Sequence, residues 1–399
     1  MMLHNGELFW PKTYYNNYYP SLDHEADGDI LIIGGGMSGT ITAFTMARAG
    51  YRTILIDKGT VAGESSAANT GLLQFMSDKT LADCIKDFGE KEAYEFYHLS
   101  FQGLEYIREL CQQLPDDVEF HNRSSILYAS KRRHMAMLRE EYIALRKFGF
   151  PCDLLNGKEL KETYGINRSM GLLTHCDAEI NPYVFIRRLI EKAVTEYGLR
   201  VYERTELLNW HSDGEEVRCD VHDGHITARN VIYAGGYADN DFVKSIKKKQ
   251  FVRSFAIVTK PIPENKFWAE KAMIWETARP YLYIRHVEGN RIIVGGLDDN
   301  NKRVPSKRLI HKKSRKLVRK FNQLFPDIMI EADDCYGARF GETKDGKPFI
   351  GEVPDMPNCY MLLGYGGNGT VYSAFGAKLL LEMVRGEENP QHDIFRLDR

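Results

Sequence analysis

No two cysteines in this chain are spaced as a CxxC pair; Cys84, Cys111, Cys152, Cys176, Cys219, Cys335 and Cys359 stand singly. An odd, scattered set fits neither a disulfide framework nor a zinc site, and reduced thiols in a cytosolic protein are expected. Neither sign of charge is in excess: 53 Lys and Arg face 55 Asp and Glu. Without a long-range pull toward nucleic acid or anionic lipid, a small-molecule partner is expected. No uninterrupted apolar run approaches the roughly eighteen residues that a membrane-spanning helix needs. The opening "MMLHNGELFWPKTYYNNYYPSL" lacks the basic and then apolar order of an export signal. An HExxH pattern is missing, and no convincing nucleophilic triad is present.

What the sequence does have is glycine at the ends of apolar runs. "DILII", residues 29–33, leads into Gly34, Gly36 and Gly39, then a helix-like "MSGTITAFTMARAG" and a second apolar run, "TILID". Strand, glycine turn, helix and strand within about thirty residues make the βαβ unit of a dinucleotide fold. Missing side chains let backbone N–H groups approach a pyrophosphate at the positive helix end, where Met37 and Ser38 also lie. Asp57 closes the second strand, followed by Lys58, where a carboxylate can bond ribose hydroxyls and disfavours a 2'-phosphate.

Three further segments supply small or hydroxyl residues. "GESSAANTGLL", residues 63–73, carries Ser65, Ser66, Asn69, Gly71 and Leu72; "NVIYAGGYAD" brings Ala234, Gly235 and Gly236 after another strand. Near the C-terminus, Gly364, Gly366, Gly367, Asn368, Gly369 and Thr370 open an apolar helix whose N-terminal dipole suits negative charge on a reduced ring system. Four separated segments around one ligand suit an extended FAD, with one glycine entrance for the diphosphate and the other for the flavin.

Between these landmarks, residues 80–113 and 131–148 read as amphipathic helices around the extended "SSILYAS". "YLYIRHVEGNRIIVGG" reads as a hairpin turned at Glu288–Asn290. Residues 306–325 form a basic amphipathic helix with a solvated face, and Lys247, Lys248 and Lys249 read as a solvated loop. Trp10, Tyr14, Tyr15, Tyr18 and Tyr19 present too much aromatic surface to leave wet, so the N-terminal arm is expected to dock on the body or on a second subunit.

With these segments in this order, the chain resembles the glycine/D-amino acid oxidase family of FAD-dependent oxidoreductases. The resemblance rests on the residues 29–59 βαβ unit, "SAANTGLL", "VIYAGGYAD", "RIIVGG", "GETKDGKPFIGEVP" and "LLGYGGNGTVYSAFGAKLLLEMV". It implies an α/β fold: a Rossmann-like FAD-binding domain interleaved with a second α+β domain built on a largely antiparallel sheet. The expected division is an arm at 1–28, a discontinuous FAD domain at 29–80, 150–250 and 337–399, and a substrate domain at 81–149 and 251–336. Leu207 would meet adenine through its backbone. The implied reaction is hydride transfer from an amine-bearing carbon to flavin N5, giving an imine that water hydrolyses, with oxygen, a quinone or another carrier as acceptor. Alternatives on the same fold are a 2-hydroxy-acid or glycerol-phosphate-type dehydrogenase, or a non-catalytic FAD-binding subunit.

The substrate end departs from the family. Tyr281, Tyr283 and Arg285 alternate along a strand and share one face, which either meets the flavin and substrate or only packs the sheet. Where glycine oxidase has a carboxylate-binding arginine, an ungapped match puts Phe340, with Arg339 one residue away; a second arginine position is Gly367. Arg339 and Arg285 are the candidate replacements. Ala338 stands where covalent flavoproteins of the family carry cysteine, and Cys335 is three residues off, so non-covalent FAD is expected. Ile293 replaces the lysine that helps sarcosine oxidases react with oxygen.

Overall fold

The apolar run at 29–33 becomes the strand Ala26–Ile33, buried at its core in a computed structural model that describes residues 3–15, 17–236, 249–364 and 366–399. A strand buried on both faces tolerates continuous apolar sequence, and this one has parallel neighbours on either side. It lies between Gly224–Tyr233 and Thr53–Ile56 in an eight-stranded sheet that continues to Arg200–Tyr202 at one end and to Cys359–Leu363 and Phe349–Glu352 at the other. Helices Met37–Arg48, Pro182–Tyr197 and Gly369–Val384 pack together on one face, sharing a core with Ile30, Ile32, Leu55 and Ile232. This is the Rossmann-like half.

The second sheet has ten strands and is antiparallel except where Met273–Glu276 meets His121–Tyr128. One of its faces is sealed by the helix Lys307–Leu324, which buries Ile310, Leu317, Phe321 and Leu324 against Phe255, Ile257, Ile284 and Ile292. Lys307, Arg308, Lys312, Arg315, Lys316 and Arg319 are exposed on its other face, as its period predicts, while Lys313 and Lys320 reach back to the Leu297 carbonyl and to Glu276. The hairpin also forms as read, with Val287 opposite Arg291.

Strand pairing departs from the expected boundaries. Cys152–Asn156 and Met170–Glu179 belong to the ten-stranded sheet, although they fall in the 150–250 stretch assigned to the FAD domain. Leu72–Leu73 joins the same sheet, and Ala332–Thr343 runs through the expected boundary at 337 as one continuous strand. The reason is non-local: Met170–Glu179 finds its partner in His121–Tyr128, and no local signal reports that pairing. The stretch 80–113 is broken at Gly89, whose φ of 86° ends Leu81–Phe88 and starts Glu90–Cys111.

The arm docks on the body, but not with all its aromatics. His4–Gly6 adds an edge strand beside Ala332–Thr343, and Trp10 is fully buried. Tyr15 and Tyr18 are 88% and 65% exposed, so they do not pack on the body of the chain. Lys247 and Lys248 lie outside the described residues, while Lys249 begins the strand Lys249–Thr259.

Candidate active site

The two sheets enclose a cavity of about 750 Å³ that runs from Asp57 to Tyr281 and Tyr283. The three motif glycines meet it for different reasons. A Cβ on Gly39 would stand 1.7 Å from the Gly34 carbonyl oxygen, and Gly34 itself has φ 112° against Ala234. Those two glycines let helix and strands close up. At Gly36 a Cβ would meet only the Ser66 hydroxyl, at 3.2 Å, and otherwise project into the cavity. Protein packing does not require that glycine; room for a ligand at the helix N-terminus does.

Asp57 is held for the same ligand. Its two carboxylate oxygens accept from the Gly35 and Gly59 N–H groups, each at 2.7 Å. Burial pushes its carboxyl above the usual range, and those two N–H bonds pull against the shift. Ser66 accepts from Met37 N–H at 3.0 Å, while the neighbouring Ser65 hydroxyl is buried with no hydrogen-bond partner among the described residues. An orphaned hydroxyl beside a glycine gap suits the oxygens of a diphosphate. Leu207, Ala234, Gly235 and Gly236 border the cavity as expected.

At the other end, the loop from Asn69 to Leu72 is fixed from three sides. Asn69 donates to Thr370 Oγ1 at 3.1 Å and accepts from Gly71 N–H at 2.7 Å, while Trp10 donates to its carbonyl at 2.6 Å. Ser38 and Ser373 bond at 2.7 Å, joining the two glycine-led helices. Of the predicted cofactor set, all but Gly39 and Gly71 border the cavity. Gly71 sits behind the wall, where a Cβ would strike the Ile180 carbonyl at 2.2 Å and Arg285 at 2.4 Å. Among the described residues no cysteine borders the cavity, and Cys335 packs against the helix-covered face of the second sheet.

The four substrate candidates separate. Tyr281 and Tyr283 border the cavity, and Tyr283 lies flat over Gly295 on the facing strand, where any Cβ would collide with its ring. Arg285 shares their strand face but is a structural residue. Its guanidinium, 1% exposed, donates to the carbonyls of Gly71 and Ile180 at 2.8 Å and of Thr70 at 3.2 Å, with Glu179 at 3.5 Å. Burial lowers its pKa and Glu179 opposes this, while Glu179, pushed up by its own burial, is brought below its usual range by Arg285 and its neighbours. Arg339 borders the cavity, and its guanidinium lies 4.9 Å from the Phe251 ring; by strand parity its side chain shares a face with Cys335, while Tyr336, Ala338 and Phe340 take the other.

Sequence reasoning missed Asp78 on the cavity wall and the buried Asp298 behind it. Asp78 accepts from Gly367 N–H at 3.0 Å, which explains why a Cβ on Gly367 would clash with it. Asp298 lies beside Ser254 at a β-bulge, and burial pushes its carboxyl up to about 7; the Ser254 hydroxyl opposes this, and Asp78 and Glu342 add to it. No sequence pattern announces either contact, because each joins segments far apart in the chain.

The sequence pattern of the FAD dependent oxidoreductase (DAO) family matches residues 29–383, and the chain belongs to that family. It is an FAD-dependent oxidoreductase. It is 25% identical over 400 residues to the putative Rieske 2Fe-2S iron-sulfur protein YhfW of Bacillus subtilis (strain 168), covering 98% of this chain and 75% of that one. Gamma-glutamylputrescine oxidoreductase of Escherichia coli (strain K12) is 25% identical over 391 residues, covering 94% of this chain and 89% of the other. The solved glycine oxidase from Geobacillus kaustophilus superimposes with a TM-score of 0.78 at 20% identity, over 92% of this chain and 96% of that one.

Proposed function

We propose that the protein oxidises the C–N bond of a small amine or amino acid. The observation that carries this reading is the single cavity joining the Asp57 and Gly36 end to a substrate end walled by Tyr281, Tyr283 and Trp275. Bound FAD supplies the hydride acceptor. Asp57 and the N-terminus of helix Met37–Arg48 would anchor its nucleotide half, and the Asn69–Leu72 loop with Thr370 would hold the ring end. The chain's task at the reacting carbon is positioning and exclusion of water. Burial raises the pKa of both Tyr281 and Tyr283, so their phenols stay neutral donors at ordinary pH.

An amine or amino acid is favoured over a 2-hydroxy acid by the names of the similar gamma-glutamylputrescine oxidoreductase and glycine oxidase, each of which specifies a nitrogen-bearing substrate. For the acceptor, Ile293 is fully buried away from the cavity wall, so that position contributes no cation to help oxygen react. A carrier such as a quinone or an iron–sulfur centre is therefore the better match, in keeping with the similarity to a protein named for an iron–sulfur cluster. The reading is tested by adding amines, amino acids and 2-hydroxy acids to the FAD-loaded protein under argon. Amines or amino acids should bleach the flavin; bleaching by a hydroxy acid alone, or by no donor, overturns the proposal.

A further inference from the structure

We infer that the non-reacting end of the substrate is a flat, apolar ring, so that the site takes aryl-substituted amines or amino acids in preference to short aliphatic ones. This rests on the reading of C–N oxidation above and names the substrate class within it. The argument lies in the face that the ten-stranded sheet turns toward the cavity. Trp275, Tyr283, Gly295, Ala256 and Tyr336 are successive register partners across five neighbouring strands, so they form one row on one face. Tyr283 lies flat over Gly295 in the middle of that row. Ala338 and Phe340 follow Tyr336 at two-residue steps, Ser254 faces Ala338 in register, and Tyr281 stands two residues before Tyr283, so all four share the face.

Trp275, Tyr281 and Tyr283 thus gather at one side of the face and Phe340 at the other, and all four border the cavity, as do the small side chains of Ser254 and Ala338 between them. The aromatic sides stand three strand spacings apart, roughly 14 Å, which leaves a trough floored by two small side chains. Protein packing does not fill it. Tyr281, Tyr283 and Phe340 each keep part of their surface uncovered although they lie between the two sheets. The Tyr281 and Tyr283 rings are 5.7 Å apart and tilted at 45°, an open angle that an edge or an offset face of a third ring fits. Such a ring gains aromatic contact in addition to the area it removes from water, which an aliphatic chain does not. The charged groups at the rim are engaged with one another: Asp78 accepts from Gly367 N–H at 3.0 Å and stands 3.8 Å from Arg279, whose guanidinium lies 4.5 Å from the Tyr281 ring. The residues proposed to hold the flavin, Asn69–Leu72 and Thr370, belong to other elements, so this face is left for the substrate.

The experiment uses FAD-loaded protein and two pairs of probes that differ within each pair only by a phenyl group: ethylamine with 2-phenylethylamine, and alanine with phenylalanine. Binding is followed by perturbation of the flavin spectrum in air, and reduction by bleaching under argon. In each pair that perturbs the spectrum, the ring-bearing member should bind at least about tenfold more tightly. Gly295→Ala supplies the local test. Its methyl group meets the far end of the Tyr283 side chain rather than backbone, so the variant should fold with the Tyr283 ring lifted into the trough. Binding of the ring-bearing member should then weaken at least about fivefold, with FAD content unchanged and the small member within about twofold. Equal binding within a pair, tighter binding of the small member, or no spectral response to either ring-bearing compound overturns the inference, with no dependence on the variant. A ring preference that is undiminished in Gly295→Ala also overturns it, since the ring would then lie elsewhere in the cavity. Ring-selective binding without bleaching would support the aromatic site while overturning C–N oxidation. Bleaching at equal half-saturation within a pair would leave the reaction standing and remove the selection.

Discussion

The Trp10 indole N–H donates to the Asn69 carbonyl at 2.6 Å, so the N-terminal arm reaches into the loop that borders the ring end of the cavity. The same indole faces Arg285, whose guanidinium lies 5.5 Å from its ring and binds the next two carbonyls of that loop, Thr70 and Gly71. Arm and second sheet thus hold one loop from two sides.

Trp10→Ala should therefore loosen FAD as well as the fold. Truncating a fully buried tryptophan costs about 3–5 kcal/mol, and here it also frees the Asn69 carbonyl. The expected result is a lowered thermal midpoint and a larger fraction of FAD lost on gel filtration. Trp10→Phe fills most of the space without the donor and should lie between. Full FAD retention in the alanine variant would refute the bracing role.

Gly36→Val and Gly39→Ala should fail in different ways. At Gly36 the added side chain meets open cavity beyond Ser66, so the protein should fold and be isolated colourless. At Gly39 a methyl group would overlap the Gly34 carbonyl oxygen, so the βαβ unit itself should be destabilised. Circular dichroism together with flavin absorbance separates the two. A yellow Gly36→Val protein would remove this loop from the cofactor site.

Those glycines were legible in the sequence because their constraint is local: strand, turn and helix lie within about thirty residues, and the backbone chemistry repeats wherever a diphosphate binds. The alternation of Tyr281, Tyr283 and Arg285 correctly placed all three on one face, yet it could not say that the row outruns the cavity. Arg285 is claimed by carbonyls at 70, 71 and 180, contacts made only once the sheets assemble. Arg339 stayed a candidate in the sequence because parity says only that odd and even positions of Ala332–Thr343 face opposite ways, not which face meets the cavity. Asp298 was hidden because a bulge, which no period reports, breaks the register between Arg253 and Phe255.

The two arginines give a paired prediction. Arg285→Met strands buried carbonyls at about 1–3 kcal/mol each and removes one of the two arginines paired with Glu179, so unfolding should occur at clearly lower denaturant. Arg339→Lys keeps the charge beside Phe251 and should leave both FAD content and the KM for any bleaching amine within about twofold of the parent. A KM raised tenfold for an anionic substrate by Arg339→Lys would restore the carboxylate clamp.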